Sequence, residues 1–98
     1  MQTYLISWNS PNANSQFKAS KLFVEWYESG GPESDPKGFE RIGWCSLIHN
    51  GSGVSIVKAE SLELIWQVYA KWREMGLEIK IEPVATMEEA YSCLKSMT

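Results

Sequence analysis

Cys45 and His49 have the most recognisable chemistry in this chain, because a thiolate beside an imidazole forms a nucleophilic pair. His49 is the only histidine, and Cys45 is one of two cysteines. Four residues apart on a strand, the two would share a face but lie about 13 Å apart, whereas such a pair needs contact at about 3 Å. We therefore expect no reactive pair, with Cys45 as a small buried residue and His49 at the shoulder of a hairpin.

Metal and phosphate chemistry find little support in the residue pattern. A metal site needs three or four clustered ligands, and one histidine with two distant cysteines gives no such set, so we predict no metal and no cofactor. A single axial histidine would be enough for haem, but the tip of a hairpin is a poor place for that ligand. Gly51–Gly53 joins two strands instead of opening a helix, so it is not a phosphate cradle.

Aromatic residues are more numerous than a small core needs, with five Trp, four Tyr and three Phe among 98 residues. They form either a dense core or the lining of a ligand pocket. Arg73 would either reach a ligand carboxylate or stabilise the C-terminus of its helix through the helix dipole. The candidate pocket residues come from the first strand and the two main helices: Trp8, Asn9, Trp26, Tyr27, Trp66, Tyr69 and Arg73.

Composition argues against several classes of protein. The net charge is −3, and the basic residues are spread along the chain, whereas nucleic-acid binders concentrate positive charge. No run approaches the roughly 18 apolar residues of a membrane span, and the first residues do not resemble a signal peptide. We expect a cytoplasmic protein with reduced cysteines that binds neither nucleic acid nor membrane.

The elements that would position these residues alternate in type along the chain. Asn50-Gly51 is typical of a tight hairpin turn, and Thr86 with Glu89 forms a capping box. The pattern predicts, in order, strand 2–8, helix 14–29, strands 39–48 and 54–59, helix 62–75 capped by Ser61, strand 77–84 and a short helix ending near Ser96.

This order is β-α-β-β-α-β with a C-terminal helix, the ferredoxin-like plan of the α+β class, in a single domain over residues 1–98. The inner strands are apolar on both faces: strict alternation sets Ile42 and Trp44 opposite Phe39, and Val54 and Ile56 opposite Val57 and Ala59. The helices cover only one face of a four-stranded antiparallel sheet. We therefore predict a homodimer through the other sheet face.

Three further features of the sequence are distinctive: the segment GSGVSIVKAES (51–61), Trp72 near the end of a helix, and the strand that closes on Pro83-Val84. In these features the chain resembles the dimeric α/β barrel superfamily and, more narrowly, an uncharacterised bacterial family of about this length. The superfamily includes cofactor-free monooxygenases, haem enzymes and small isomerases.

Three hypotheses follow, and they leave open whether the protein is an enzyme. The first is a dimer that binds a small hydrophobic molecule in a cavity between sheet and helices. The second is a cofactor-independent monooxygenase or isomerase that acts on an aromatic compound. The third is a structural or regulatory dimer without a ligand.

Overall fold

The computed structural model describes residues 1–47 and 51–98, and it has the predicted order of elements. The fold is α+β, with a four-stranded antiparallel sheet and three α-helices. A 3-10 turn over Gly31–Ser34 follows the first helix. The elements are β1 (Gln2–Asn9), α1 (Ala13–Glu28), β2 (Phe39–Leu47), β3 (Ser52–Ala59), α2 (Leu62–Glu74), β4 (Glu78–Val84) and α3 (Met87–Ser96).

Each α-helix begins at a polar side chain that satisfies a free backbone N–H. Asn12 Oδ1 accepts from the amide of Ser15 at 2.8 Å, and Ser61 Oγ accepts from the amide of Leu64 at 3.2 Å. The predicted capping box at Thr86 is present, with both reciprocal hydrogen bonds formed. A cap of this kind typically contributes about 1 kcal/mol, so the helix starts are set by local sequence.

The strands lie in the order β2-β3-β1-β4, and every neighbouring pair is antiparallel. Each main helix therefore connects two strands that have a third strand between them. β4 lies at one edge of the sheet, a position that suits Pro83, because proline has no N–H to donate to a neighbouring strand. Residues 48–50, including His49 and Asn50, lie outside the described residues, so the tight turn at Asn50-Gly51 stays a prediction.

A β-bulge in β2 changes which face its side chains occupy. The pairing shifts between Arg41 and Gly43, so that Trp44 is opposite Ser55. Ser55 is buried on the helix side of the sheet, together with Val57. The expectation that Trp44 opposes Phe39 was wrong, because one extra residue in a bulge reverses the alternation beyond it. Trp44 consequently faces the helices.

The core lies between the sheet and α2. Ile6 of β1, Val57 of β3 and Ile65 of α2 have no exposed surface, and Phe39 and Tyr69 complete the cluster. Burying one such aliphatic side chain stabilises the fold by about 1.5–3 kcal/mol. The core is small, and it leaves the space between α1 and the sheet less completely filled.

Two apolar surfaces remain open on the chain. Ile42, Val54 and Ile56 are 40–52% exposed on the outer sheet face, the face away from the helices. The helix α3 has no buried residue and exposes Tyr91 and Leu94. The radius of gyration is 15.0 Å, larger than the roughly 12.6 Å of a compact chain of this length, which indicates that α3 stands away from the rest.

In the part of the chain that the structure describes, no helix combines the length and apolar character needed to cross a membrane.

Candidate functional site

A cavity of about 520 Å³ lies between α1, α2 and the sheet. This volume is within the range of small-molecule sites, about 300–1,000 Å³. Its walls are mostly apolar, and polar residues such as Ser10, Gln16 and Ser46 lie at the end nearest the β2–β3 hairpin. Six aromatic residues line it: Trp8, Phe23, Trp26, Trp44, Tyr69 and Trp72.

Packing between elements holds the aromatic rings in place. Trp44, turned inward by the bulge, stacks on Trp8 with ring centroids 5.7 Å apart and on Phe23 of α1 at 5.2 Å. Trp26 meets the edge of Trp72 of α2 at 6.3 Å. Such ring pairs contribute about 0.5–1.5 kcal/mol beyond the area they bury. The lining is therefore a connected wall of rings that joins both helices to the sheet.

Gly53 leaves the space that the Trp8 indole occupies. A Cβ atom at this position would lie 2.8 Å from Cε2 of Trp8, closer than carbon atoms approach without strain. The backbone of β3 therefore forms the floor below the indole, and glycine is the residue that permits this close approach.

Among the described residues that line the cavity, Arg41 has the only charged side chain. Its Nε donates to Asp35 Oδ2 at 2.7 Å, and its Nη2 donates to Oδ1 of the same carboxylate at 3.2 Å. Its Nη1 donates to the hydroxyl of Tyr69 at 3.3 Å. The side chains of Arg41 and Asp35 are only 13% and 8% exposed, so this is a largely buried bidentate ion pair.

The surroundings keep Arg41 charged. Burial alone lowers the pKa of Arg41, but hydrogen bonds and the charge of Asp35, together with Tyr69, outweigh it and raise the pKa above its usual value. The guanidinium also lies 4.8 Å from the Trp26 ring centroid and 5.2 Å from that of Phe39. This end of the cavity thus combines hydrogen-bond donors with flat aromatic surfaces.

Three of the residues predicted from the sequence as a pocket come together at this cavity: Trp8, Trp26 and Tyr69. Two others lie elsewhere. Asn9 is exposed and donates a hydrogen bond to Glu78 at 3.4 Å. Tyr27 is 64% exposed and stacks on Phe23 with ring centroids 6.1 Å apart. Whether the three residues bind a ligand stays a prediction.

The remaining two predicted residues, Trp66 and Arg73, pair with each other away from the cavity. The guanidinium of Arg73 lies 4.5 Å from the ring centroid of Trp66, and neither residue lines the cavity. Arg73 is in the last turn of α2, where a cation also complements the helix dipole. It is therefore not placed to meet a carboxylate of a molecule in the cavity.

Sequence reasoning missed Arg41, Phe23, Trp44 and Trp72 as lining residues. Phe23 precedes Trp26 by three positions on one helix, so helical spacing was a usable signal for it. Trp44 was assigned to the wrong sheet face because the alternation was taken as strict through Gly43, although a glycine inside a strand can signal a bulge. Arg41 lies in β2 and its partner Asp35 comes from the loop before that strand, so no regular spacing connects the two residues.

The cysteines are the remaining reactive groups among the described residues, and Cys45 is one of the residues that line the cavity. Cys45 pairs with Val54 on the outer sheet face and is exposed, which corrects the expectation of a buried thiol. Cys93 is exposed on α3. His49 lies outside the described residues, so its predicted distance from Cys45 stays a prediction. Among the residues described, no three His, Cys, Asp or Glu side chains are grouped as a metal site requires.

Comparison with known proteins identifies a family for the chain but no reaction. The model of a family described as a domain of unknown function, DUF3303, matches residues 2–98. A search of curated proteins found no match. Among solved structures, one that matches is the uncharacterized protein TM1266 from Thermotoga maritima, with 10% identity and a TM-score of 0.46; the alignment covers 86% of this chain and 98% of that one.

Proposed function

Because the chain belongs to the DUF3303 family, whose function is unknown, we propose its function from its own residues: it binds a small hydrophobic molecule in the cavity between sheet and helices. The observation that carries the proposal is a cavity of about 520 Å³ walled by six aromatic side chains. Val24 and Trp44 of the lining are 52% and 46% exposed, so the cavity opens to solvent and a small molecule can enter it. An aromatic-lined space that stays open is typical of a ligand site.

Four of the five tryptophans line the cavity and can report binding there. Trp66 does not line it and serves as the control. We expect fluorene, a planar three-ring hydrocarbon, to shift the indole N–H resonances of the four lining tryptophans in nitrogen-15 NMR spectra. The resonance of Trp66 stays in place. Single Trp→Phe variants assign the five signals.

A pair of alanine variants tests whether binding takes place in the cavity. Ala19 lines it and is nearly buried, whereas Ala70 is exposed on α2 away from it. Ala19→Leu fills part of the space and is expected to weaken fluorene binding at least tenfold, while Ala70→Leu leaves it unchanged. Equal shifts at all five tryptophans, or unchanged binding by Ala19→Leu, would contradict the proposal.

The alternative, a cofactor-independent monooxygenase or isomerase, would use the same cavity. Oxygen consumption, or conversion of a bound aromatic compound by the purified protein, distinguishes it from a binding module. Loss of that turnover in Ala19→Leu, with retention in Ala70→Leu, would place the reaction in this cavity.

We also propose that the fold is ferredoxin-like and that two copies associate through their outer sheet faces to form a dimeric α/β barrel. The strand order β2-β3-β1-β4 and the apolar exposed residues Ile42, Val54 and Ile56 support this. A sheet that carries apolar side chains on both faces is normally covered on both. Sedimentation equilibrium at micromolar concentration is expected to give about twice the 11.1 kDa of one chain.

A further inference from the structure

We propose that the cavity selects an uncharged planar aromatic molecule that carries a carbonyl oxygen, and that Arg41 and Tyr69 hold that oxygen. The inference rests on the proposed function and names the class of its ligand. Three observations carry it: the charge balance at Arg41, the donors that remain free there, and the dimensions of the cavity.

The charge of Arg41 is already balanced. Asp35 accepts two hydrogen bonds from the guanidinium and is only 8% exposed, so the pair as a whole is neutral and largely shielded from water. A ligand carboxylate at the same place would lose its hydration and would also be repelled by Asp35. A carbonyl oxygen gives up much less hydration energy on entering the cavity. The arrangement thus favours a neutral acceptor over an anion.

Hydrogen-bond donors remain available at this end of the cavity. A guanidinium has five N–H groups, and among the described residues Arg41 uses three of them, two toward Asp35 and one toward Tyr69. The Tyr69 hydroxyl accepts from Arg41, which leaves its own proton to donate. One ligand oxygen can therefore accept from both side chains. The free donors also explain why an oxygen-bearing molecule fits better than a hydrocarbon.

The cavity dimensions set the size of the ligand. Arg41 is opposite Val57, and Ser46, at the polar end, is opposite Gly53. Four residues of β3 at about 3.3 Å each give a length of about 13 Å, which accommodates two or three fused rings. The stacked rings of Trp8, Trp44 and Phe23 line one wall along this path, so a flat molecule makes the largest contact with it.

Three compounds with one ring skeleton test the inference: fluorene, 9-fluorenone and fluorene-9-carboxylate. We expect 9-fluorenone to bind at least tenfold more tightly than fluorene, and the carboxylate to bind more weakly than either, as measured by equilibrium dialysis. Tyr69→Phe keeps the ring and removes the hydroxyl. It is expected to reduce the ratio of ketone affinity to fluorene affinity to less than threefold.

Asp35→Asn tests the charge argument, because it removes the negative charge that balances Arg41 and should therefore favour an anionic ligand. In this variant the affinity for fluorene-9-carboxylate is expected to rise at least tenfold relative to the affinity for 9-fluorenone. Circular dichroism checks that the variant is folded. Fluorene and 9-fluorenone binding equally well to the wild type, or an unchanged ratio in Tyr69→Phe, would overturn the ligand class and leave the binding function intact. Failure of all three compounds to bind would overturn both.

Discussion

Arg41 and Asp35 form a nearly buried ion pair beside the cavity. The pair is stabilised by two hydrogen bonds within it and by a third to Tyr69. Taking two charges out of water has a large free-energy cost, which good geometry offsets only when both partners are present. The intact pair therefore contributes little net stability, whereas the loss of one partner has a large cost.

Removing one member of this pair leaves the other charge buried and unpaired. We expect Asp35→Ala to lower the free energy of unfolding by about 2–3 kcal/mol, below the roughly 3–5 kcal/mol of fully buried pairs, because both side chains keep some contact with solvent. Urea denaturation measures the change.

The matched control for Asp35→Ala is the exposed Lys80–Glu82 pair. Its Lys80 Nζ and Glu82 Oε1 atoms are 3.6 Å apart, and its side chains are 73% and 48% exposed. Lys80→Ala is expected to change the free energy of unfolding by less than about 1 kcal/mol. Equal effects of the two variants would show that the Arg41–Asp35 pair is not effectively buried.

Among the elements, α3 depends most on its own capping, because none of its residues is buried against the rest of the chain. Glu89 accepts from the backbone N–H of Thr86 at 3.1 Å, and the hydroxyl of Thr86 accepts from the backbone N–H of Glu89 at 3.2 Å. Hydrogen bonding of the Glu89 carboxylate to the Thr86 backbone N–H, and next to the Thr86 side chain, lowers the pKa of Glu89. The ionised carboxylate therefore stabilises the helix start.

The direction of this shift determines how α3 responds to acid. A carboxyl group with a lowered pKa stabilises the folded form above its usual pKa, and that stabilisation is lost as the pH falls through the lowered value. We expect the NMR carbon shifts of residues 87–96 to lose helical character in that acidic range, before the sheet unfolds. Glu89→Gln removes this dependence, whereas Glu88→Gln in the same turn retains it; the same acid response in both variants would contradict the argument.

The elements also show how far the sequence alone leads. Helix starts were predictable because Asn12, Ser61 and Thr86 act on amides only three residues away. The cavity was only partly predictable, because its lining depends on the bulge after Arg41, which turns Trp44 inward. The Arg41–Asp35 pair depends on how the loop before β2 folds back. Periodicity describes faces of regular elements, and it does not report such irregularities.

The whole molecule leaves more apolar surface open than a small monomer usually does. The outer sheet face and the apolar side of α3 are both exposed, and four large side chains of the helical tail are 61–85% exposed: Met87, Tyr91, Leu94 and Met97. Contiguous apolar patches of this kind usually mark interaction surfaces. A second copy can cover the sheet face symmetrically, because the same residues are then buried on both sides.

One charged substitution distinguishes a dimer through the sheet from any other arrangement. Ile56 is 40% exposed near the middle of the outer sheet face, so Ile56→Asp is tolerated by a folded single chain but buries a charge in the proposed interface. We expect it to weaken dimerisation at least 100-fold in sedimentation velocity experiments. Leu62→Asp is the control, since Leu62 is 48% exposed at the start of α2 and outside that face. A monomeric wild type, or an Ile56→Asp variant that still dimerises, would contradict the sheet interface.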